Sequence, residues 1–352
     1  MRPCLVIIAK VKYPIPFRTR KSRLSAPMVL CLKTWKSRTL PGLIKFVYIL
    51  LIYKTFHLKE KKNFLVVTGG AGFVGSNLIE ILLKRTSYNI LSLDNYSSGN
   101  IKNHIISNRV TYLRGNTLDI FKQLKLYRKK IKSLFHFGEF ARIFQSFEKF
   151  NECFEYNSTG SKEVFKFCLE NKIKLIYSAT SASLGNKGND KNLSPYAFTK
   201  AKNLELLENL KKWFNLKYEI IYFYNVYGKK QISTGKMATV IGIFEYQYKN
   251  KLPLTVVKPG NQTRRFTHIS DTVEVCFEAW KKNKCEHYSI SNKKSYSIID
   301  VAKMFKSKIK YLPQRKGERY ASALTSLSLN NKVNKRYGKK SLKDYIASFI
   351  KD

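Results

Sequence analysis

The chain has 352 residues, 44% of them hydrophobic and 14% aromatic, which excludes a wholly disordered protein. Lys and Arg number 66 against 23 Asp and Glu, a formal charge of +43. Such a charge suggests nucleic acid or an anionic membrane as a partner, but the basic residues are scattered along the chain rather than gathered in one block. We therefore interpret them as a solvated basic surface and expect no nucleic-acid partner.

The segment 1–60 differs from the rest, since its first 59 residues contain 13 Lys and Arg but no Asp or Glu. Such a leader can be a transit peptide or a membrane-surface segment. A third interpretation is upstream sequence joined to the protein by a misplaced start. We favour the third, because five prolines interrupt any helix there and a complete nucleotide-binding pattern begins just afterwards. A chain that starts near Leu58 is then expected to fold and bind its cofactor.

From residue 63 onward, short apolar runs alternate with segments of helical spacing. Strands are predicted at Asn63–Thr68, Asn89–Asp94, Val110–Leu113, Ser133–Phe137, Lys174–Ser178 and Glu219–Phe223, and helices at Ser76–Arg85, Glu152–Asn171 and Tyr196–Phe214. This alternation predicts an α/β fold with a Rossmann-like, doubly wound parallel sheet over 61–228.

The pattern loosens after Gly228. A short strand and three helices are predicted at Leu254–Val257, Ser270–Lys281, Ile298–Lys306 and Leu342–Lys351. We expect 229–352 to form mainly a smaller C-terminal α/β lobe that caps the substrate.

Neither a metal site nor a membrane span is predicted. The six cysteines form no CxxC pair and no cluster with histidine at zinc-ligand spacing. Free thiols are the norm in a reducing cytoplasm, where we expect this protein to be. The longest apolar segment, Leu43–Tyr53, is interrupted by Lys45 and is too short to cross a bilayer.

A glycine-rich turn follows the first predicted strand and reads TGGAGFVG over Thr68–Gly75. Glycines between a strand and a helix let the backbone approach a pyrophosphate at the helix N-terminus. The predicted cofactor contacts of this turn are Gly69, Gly72, Phe73, Val74 and Gly75. Asp94 ends the second strand, where a carboxylate accepts hydrogen bonds from a ribose and repels a 2′-phosphate. Because Asn95 rather than a basic residue follows, NAD is favoured over NADP.

A second motif, YxxxK, comprises Tyr196 and Lys200 at the start of a predicted helix. Residues four apart share a helix face, and a neighbouring Lys lowers the pKa of a phenol, which can then remove a hydroxyl proton. Thr180 follows the preceding strand and can hydrogen-bond the reacting oxygen. These three residues are the candidate catalytic group.

With these motifs, the chain from about Asn63 to its end resembles the extended short-chain dehydrogenase/reductase family, particularly the nucleotide-sugar epimerase branch. The segments that carry the resemblance are TGGAGFVG, LDNYSSGN (93–100), HFGE (136–139), YNSTG (156–160), YSATSASLG (177–185), PYAFTK (195–200), YFYNVYG (222–228), RRFTHISD (264–271) and QRKGE (314–318). The resemblance implies tightly held NAD, a Thr180/Tyr196/Lys200 centre and a homodimer formed through the helices Glu152–Asn171 and Tyr196–Phe214.

The resemblance also implies further contacts. Those expected near the cofactor are Asn95, Asn116, Phe137, Gly138, Asn157 and Tyr222, together with Tyr196 and Lys200. Those expected at the nucleotide sugar are Thr180, Asn225, Arg264, Arg315 and Ser322. Two Arg side chains suit a diphosphate through forked hydrogen bonds. The small Ser322, at a position that gates the sugar pocket, gives a slight preference for a pocket that accepts N-acetylhexosamine as well as hexose.

Several positions depart from the family pattern. Ser181 and Ala182 stand where dehydratases and decarboxylases of this family carry acids, so both chemistries lack that group. Glu139 replaces a small residue beside the nicotinamide; it is a solvated loop carboxylate, an unorthodox acid/base, or a residue that alters substrate choice. Asn116 replaces an Asp but can still contact adenine. The loop that follows Gly185 is short for the family.

The sequence thus predicts an NAD-dependent epimerase that inverts C4 of a UDP-hexose or UDP-N-acetylhexosamine through a transient 4-keto intermediate. Alternatives are a nucleotide-sugar dehydratase or reductase, and a catalytically silent NAD-binding regulatory protein.

Overall fold

A seven-stranded sheet organises the part of the chain that the computed structural model describes, namely residues 63–184, 192–314 and 336–351. The predictions made for the segment 1–60, for Arg315 and for Ser322 lie outside these residues, as does most of the short loop after Gly185.

The strands and helices alternate in the described residues. The strands are β1 Phe64–Thr68, β2 Asn89–Asp94, β3 Val110–Arg114, β4 Ile131–His136, β5 Lys174–Thr180, β6 Tyr218–Phe223, β7 Asn225–Tyr227, β8 Leu254–Val257, β9 Thr263–His268, β10 His287–Ile290, β11 Ser295–Ser297 and β12 Ile309–Leu312. The helices are α1 Phe73–Arg85, α2 Ile120–Gln123, α3 Gln145–Glu148, α4 Phe150–Phe154, α5 Ser161–Glu170, α6 Pro195–Phe214, α7 Val240–Lys249, α8 Ile269–Lys281, α9 Ile298–Met304 and α10 Leu342–Phe349.

The large sheet has the strand order β10-β6-β5-β4-β1-β2-β3, and all of its pairings are parallel. The order reverses at β1, which lies between β2 and β4. The predicted doubly wound parallel sheet is therefore confirmed. Ligands of such sheets bind outside the carboxyl ends of the strands at this reversal, where the glycine turn lies.

Burial on both faces explains why β1 is apolar along nearly its whole length rather than alternating. In β1, Leu65, Val66 and Val67 are all fully buried. Val66 belongs to the core that also contains residues of α5 and α6, whereas Leu65 and Val67 belong to the core that contains residues of α1 and α8. Successive strand residues thus face opposite helical layers.

The predicted helix Glu152–Asn171 is not continuous. A π-helical segment, Glu155–Gly160, separates α4 from α5. A side chain at Gly160 would approach Thr117 Oγ1 to 2.6 Å, so glycine permits close packing there. π-Helical turns inside α-helices often occur at functional sites, and this one contains Asn157.

The C-terminal half contributes to the large sheet as well as to the smaller lobe. Strand β10 pairs with β6, and α8 packs against α1. The remaining strands form a three-stranded sheet, β11-β9-β7, and a two-stranded sheet, β12-β8. The three- to six-residue strands β7, β9 and β10 were not predicted, because short runs carry little periodicity. In the described residues, no helix is both long and apolar enough to cross a membrane.

Candidate active site

A cavity of about 500 Å³ lies at the carboxyl ends of the parallel strands. Most of the predicted site residues line it: Gly69, Gly72, Phe73, Val74, Gly75, Asp94, Asn95, Asn116, Phe137, Gly138, Thr180, Tyr196, Lys200, Asn225 and Arg264. The fold thus brings the glycine turn, the YxxxK pair and part of the predicted diphosphate site to one cavity.

Two predicted cofactor contacts do not line this cavity. Tyr222 lies on the strand with its ring stacked on His287 and its hydroxyl 3.2 Å from His287 Nδ1. The next residue, Phe223, points to the cavity instead, because successive strand residues face opposite sides. Asn157 is fully buried behind the cavity wall.

Asn157 supports the loop that forms this wall. Its side-chain oxygen accepts a hydrogen bond from Phe140 N at 2.7 Å, and its Nδ2 donates to Phe140 O at 3.0 Å. The same Nδ2 also contacts Thr199 Oγ1 at 3.2 Å. Asn157 therefore ties the segment after β4 to α6, which carries Tyr196.

The glycine turn requires glycine at two positions for steric reasons. Gly69 has φ of +69°, in the left-handed region, and a Cβ there would lie 2.9 Å from the backbone of Phe137 and Gly138. A Cβ at Gly75 would lie 2.2 Å from Gly69 O. Helix α1 follows with no side-chain cap and no acidic residue in its first turn, which leaves its N-terminus suited to an anion.

Asp94 is buried beside this turn, at 6% exposure. Its two carboxylate oxygens accept hydrogen bonds from Ala71 N at 2.9 Å and Tyr96 N at 2.8 Å. Burial raises the pKa of Asp94, and these backbone N–H groups oppose that rise. Asn95 and Asn116 lie next to it, with Asn95 Nδ2 3.0 Å from Asn116 Oδ1. A carboxylate with two neutral amides fits the ribose hydroxyls and adenine of NAD and offers nothing to a 2′-phosphate.

Tyr196 lies in the first turn of α6, which is fixed by a cap. Ser194 Oγ accepts a hydrogen bond from Ala197 N at 3.1 Å, and Pro195 takes the first helical position. The Tyr196 side chain is hydrogen-bonded to Thr180, and burial raises its pKa to about 12. The hydrogen bond from Thr180 and the charge of Arg142 act against this rise, whereas the carboxylate of Glu139 adds to it.

Glu139 is not a solvated loop carboxylate, since its side chain is 2% exposed and forms an ion pair with Lys200. The Lys200 ammonium also donates to Ser178 O and lies 3.3 Å from the Tyr177 hydroxyl. No hydrogen bond between described residues joins Lys200 to Tyr196. The expectation that Lys200 lowers the pKa of Tyr196 is therefore not met in this arrangement.

The cavity is also lined by Arg264, at 8% exposure, and by Asn225, both of which were predicted to contact the nucleotide sugar. Sequence reasoning missed Arg142, which lines the same cavity and donates through Nε and Nη2 to Met237 O and through Nη1 to Ala141 O. No motif marks Arg142, because its contacts come from a segment about ninety residues away in the chain.

Asp94 gives a test of the cofactor preference. We expect the wild-type protein to bind NAD more tightly than NADP, and Asp94→Asn to weaken NAD binding about tenfold to a hundredfold, because hydrogen bonds to a charged group contribute about 1.5–3 kcal/mol. Calorimetric titration of each dinucleotide measures both effects. Asp119→Asn, an exposed carboxylate outside the cavity, is the control. Equal affinity of the wild type for the two dinucleotides would contradict the assignment.

Comparison with known proteins agrees with this geometry. The model of the NAD dependent epimerase/dehydratase family matches residues 65–291. An uncharacterized UDP-glucose epimerase of Bacillus subtilis is 28% identical over 60% of this chain and 70% of its own length. An ADP-L-glycero-D-manno-heptose-6-epimerase of Brachyspira hyodysenteriae is 28% identical over 69% of this chain and 80% of its own. The structure of a UDP-glucuronic acid 4-epimerase from Bacillus cereus with UDP-glucuronic acid and NAD has a TM-score of 0.72 and 25% identity, covering 82% of this chain and 99% of that one. The chain therefore belongs to the NAD-dependent epimerase/dehydratase family.

Proposed function

We propose that this protein inverts C4 of a nucleotide-activated sugar, a UDP-hexose or UDP-N-acetylhexosamine. The cavity supports this because the buried Tyr196–Thr180 pair lines it together with the glycine turn, Arg264 and Asn225. A dinucleotide at the glycine turn and a sugar diphosphate at Arg264 would bring the sugar to the phenol.

NAD would be held by the glycine turn with Asp94, Asn95 and Asn116, and would supply the acceptor and donor for the hydride that leaves C4 of the sugar and returns to its opposite face. Tyr196 takes the proton of the 4-hydroxyl and later gives it back, and Thr180 holds the reacting oxygen by a hydrogen bond. Arg264 donates two parallel hydrogen bonds to the diphosphate, and this contact anchors the nucleotide while the 4-keto sugar rotates. The reaction has no net redox change.

The carboxylates that line the cavity favour epimerisation over dehydration in this proposal. Asp94 and Glu139 are the carboxylates among the described residues that line it. Asp94 lies at the glycine turn, and Glu139 is held by Lys200. Ser181 and Ala182, which follow Thr180, bear no acid. Among the described residues, elimination of water from the sugar lacks a placed proton donor, whereas epimerisation needs none beyond Tyr196.

One observation favours a second candidate, a catalytically silent NAD-binding protein. The ammonium of Lys200 is engaged by Glu139, and the pKa of Tyr196 is about 12. Both features would slow proton removal near neutral pH. Such a protein would bind NAD and leave every nucleotide sugar unchanged.

A substrate panel in deuterated water separates these candidates. UDP-glucose, UDP-N-acetylglucosamine, UDP-glucuronic acid and dTDP-glucose are incubated with the purified protein and NAD, and the products are separated and analysed by NMR. A 4-epimerase gives the C4 epimer with no deuterium on carbon, because the hydride never meets solvent. A dehydratase gives a 4-keto-6-deoxy sugar with solvent deuterium. Absence of any product from the whole panel would contradict the epimerase proposal.

The preference between sugars depends on Ser322 in this proposal. Comparison of kcat/KM for UDP-N-acetylglucosamine and UDP-glucose in the wild type and in Ser322→Tyr extends the same assay. A bulky ring should lower the ratio in favour of UDP-glucose. An unchanged ratio of the two kcat/KM values would contradict the assignment of Ser322 to the sugar pocket.

We retain a cytoplasmic homodimer as part of the proposal. On α4 and α6, the rings of Phe150, Phe154 and Phe198 form a row, with neighbouring centroids 4.5 and 6.0 Å apart. Phe150 is 51% exposed and Trp213, on α6, is 62% exposed. Large exposed aromatic side chains of this kind are typical of protein interfaces.

A further inference from the structure

The ion pair between Glu139 and Lys200 lies in the interior, next to the residue that would do the chemistry. The two side chains are 2% and 4% exposed. Burying two charges is costly unless further hydrogen bonds satisfy them. The hydrogen-bond partners of Glu139 and Lys200 therefore indicate the role of this ion pair.

The carboxylate of Glu139 is saturated by donors. Its Oε1 accepts hydrogen bonds from Ser161 Oγ at 2.8 Å, Tyr177 OH at 3.0 Å and Asn203 Nδ2 at 3.3 Å, and its Oε2 accepts from Lys200. Four donors stabilise the charged form of a carboxylate. Glu139 is thus fixed in place by side chains from α5, β5 and α6.

Each of the three N–H groups of Lys200 also has a hydrogen-bond acceptor. Its ammonium contacts Glu139 Oε2, Ser178 O and the Tyr177 hydroxyl, and it also lies 4.5 Å from the centre of the Tyr177 ring. A lysine ammonium has three donors and no acceptor. None is left to point towards the Tyr196 hydroxyl.

Behind Glu139 runs a chain of hydrogen bonds whose direction is fixed by its end. Ser161 must donate to the carboxylate, so it accepts from His136 Nε2 at 3.0 Å. His136 Nδ1 then accepts from Thr68 Oγ1 at 2.7 Å. Burial lowers the pKa of His136 to about 4, so His136 is neutral and adds no charge.

The remaining titratable neighbours are few. The groups that influence Tyr196 are Glu139, Arg142, the hydroxyl of Tyr177 and the thiol of Cys153. Burial raises the pKa of the Tyr177 hydroxyl, so it stays protonated, and raises the pKa of the Cys153 thiol on α4 to about 11. Near neutral pH the thiol is uncharged. The charge balance around Tyr196 therefore depends on Glu139, Lys200 and Arg142.

We propose that Glu139 is a positioning residue that holds the Lys200 ammonium away from Tyr196 and cancels its charge, and so restricts proton removal by Tyr196 to alkaline conditions. This inference rests on the proposed function in that Tyr196 is the acid–base group. Glu139, in the segment HFGE (136–139) at the end of β4, thereby reduces the effect of the Lys200 charge on Tyr196.

The sign of the effect follows from the charges. With Glu139 present, the pair is neutral and the phenolate gains no stabilisation from it. Without the carboxylate, an uncompensated ammonium near Tyr196 favours the phenolate. An opposite charge within about 4–6 Å lowers a pKa by about 1–3 units. Because a phenol must lose its proton to act as a base, the variant should be the faster enzyme at neutral pH wherever proton removal limits the rate.

The experiment uses the full chain loaded with NAD and labelled at tyrosine Cζ with ¹³C. The Tyr196 resonance is assigned by its loss in Tyr196→Phe, and its titration is compared in the wild type and in Glu139→Gln. We expect the Tyr196 midpoint to fall by about 1–2 units in Glu139→Gln. The pH profile of kcat/KM should shift to lower pH by the same amount. Glu163→Gln, a partly exposed carboxylate of α5 that pairs with Lys162, is the matched control and should change neither measurement.

An unchanged Tyr196 midpoint in Glu139→Gln would overturn the proposal, whatever the activity. Should that variant not fold, the wild type decides the matter by itself, because its Tyr196 must titrate above the ordinary tyrosine value of about 10. A wild-type midpoint at or below that value would also overturn it. Failure of the proposed function would appear differently, as absence of turnover with every nucleotide sugar while the Tyr196 titration still responds to Glu139→Gln.

Discussion

Replacing Tyr196 by Phe is expected to lower kcat by about 10²–10⁴-fold, the usual contribution of general acid–base catalysis. Tyr196 is 8% exposed, and its ring keeps its packing in this variant. Only the hydroxyl that is hydrogen-bonded to Thr180 is lost. Binding of NAD should stay within about twofold, because the glycine turn and Asp94 are untouched. Steady-state kinetics on the sugar identified by the panel, together with calorimetric titration of NAD, measure both quantities.

Tyr222→Phe is the matched control for that variant. Tyr222 is also a buried tyrosine next to the active-site strand ends, but its hydroxyl lies beside His287 and away from the cavity. Its loss should leave kcat unchanged. Near-normal turnover in Tyr196→Phe, or a comparable loss in Tyr222→Phe, would contradict the assignment of Tyr196 as the acid–base residue.

Gly75→Ala is expected to weaken NAD binding by at least about a hundredfold. The added methyl group would lie 2.2 Å from Gly69 O and 2.8 Å from Gly70 Cα, so the turn must open. Overpacking of this kind costs about 1–3 kcal/mol in folding stability. The displaced backbone is also the part that would approach the pyrophosphate. Calorimetric titration of NAD and thermal unfolding separate the loss of affinity from the loss of stability.

Gly235→Ala provides the control for the glycine turn. Gly235 also has a positive φ, +76°, but nothing lies within 4 Å of its Cβ position. We expect a cost of about 1–2 kcal/mol in the free energy of unfolding, from backbone strain alone, and an unchanged affinity for NAD. If Gly75→Ala kept the wild-type affinity for NAD, the turn would not be the pyrophosphate site.

The local sequence determined the nucleotide-binding half of the fold. Strand β2 was predicted with its observed bounds, and β1, β3 and β6 to within one residue. Strands β1, β2 and β6 are buried on both faces, so each is a largely apolar run that is readable in the chain itself, whereas β3 lies at the edge of the sheet and is only partly buried. The glycine turn and Asp94 were likewise found from residue type and spacing, because backbone geometry requires glycine there.

The fine arrangement of the active site was decided by the tertiary structure. The phase of β6 places Phe223 rather than Tyr222 in the cavity, and a one-residue change of phase reverses which face a side chain takes. The π-helical segment turns Asn157 inward, where it supports the wall behind the cavity.

Glu139 shows most clearly that the arrangement of the active site cannot be predicted from the sequence alone. In the sequence it is a carboxylate in a loop, where a solvated position is the ordinary expectation. Its burial arises because α5, β5 and α6 meet at the end of β4 and supply Ser161, Tyr177, Lys200 and Asn203 from three separate parts of the chain. Sequence spacing determines which side chains a helix or strand carries. The charge environment of Tyr196 depends on long-range packing, and only the folded chain sets it.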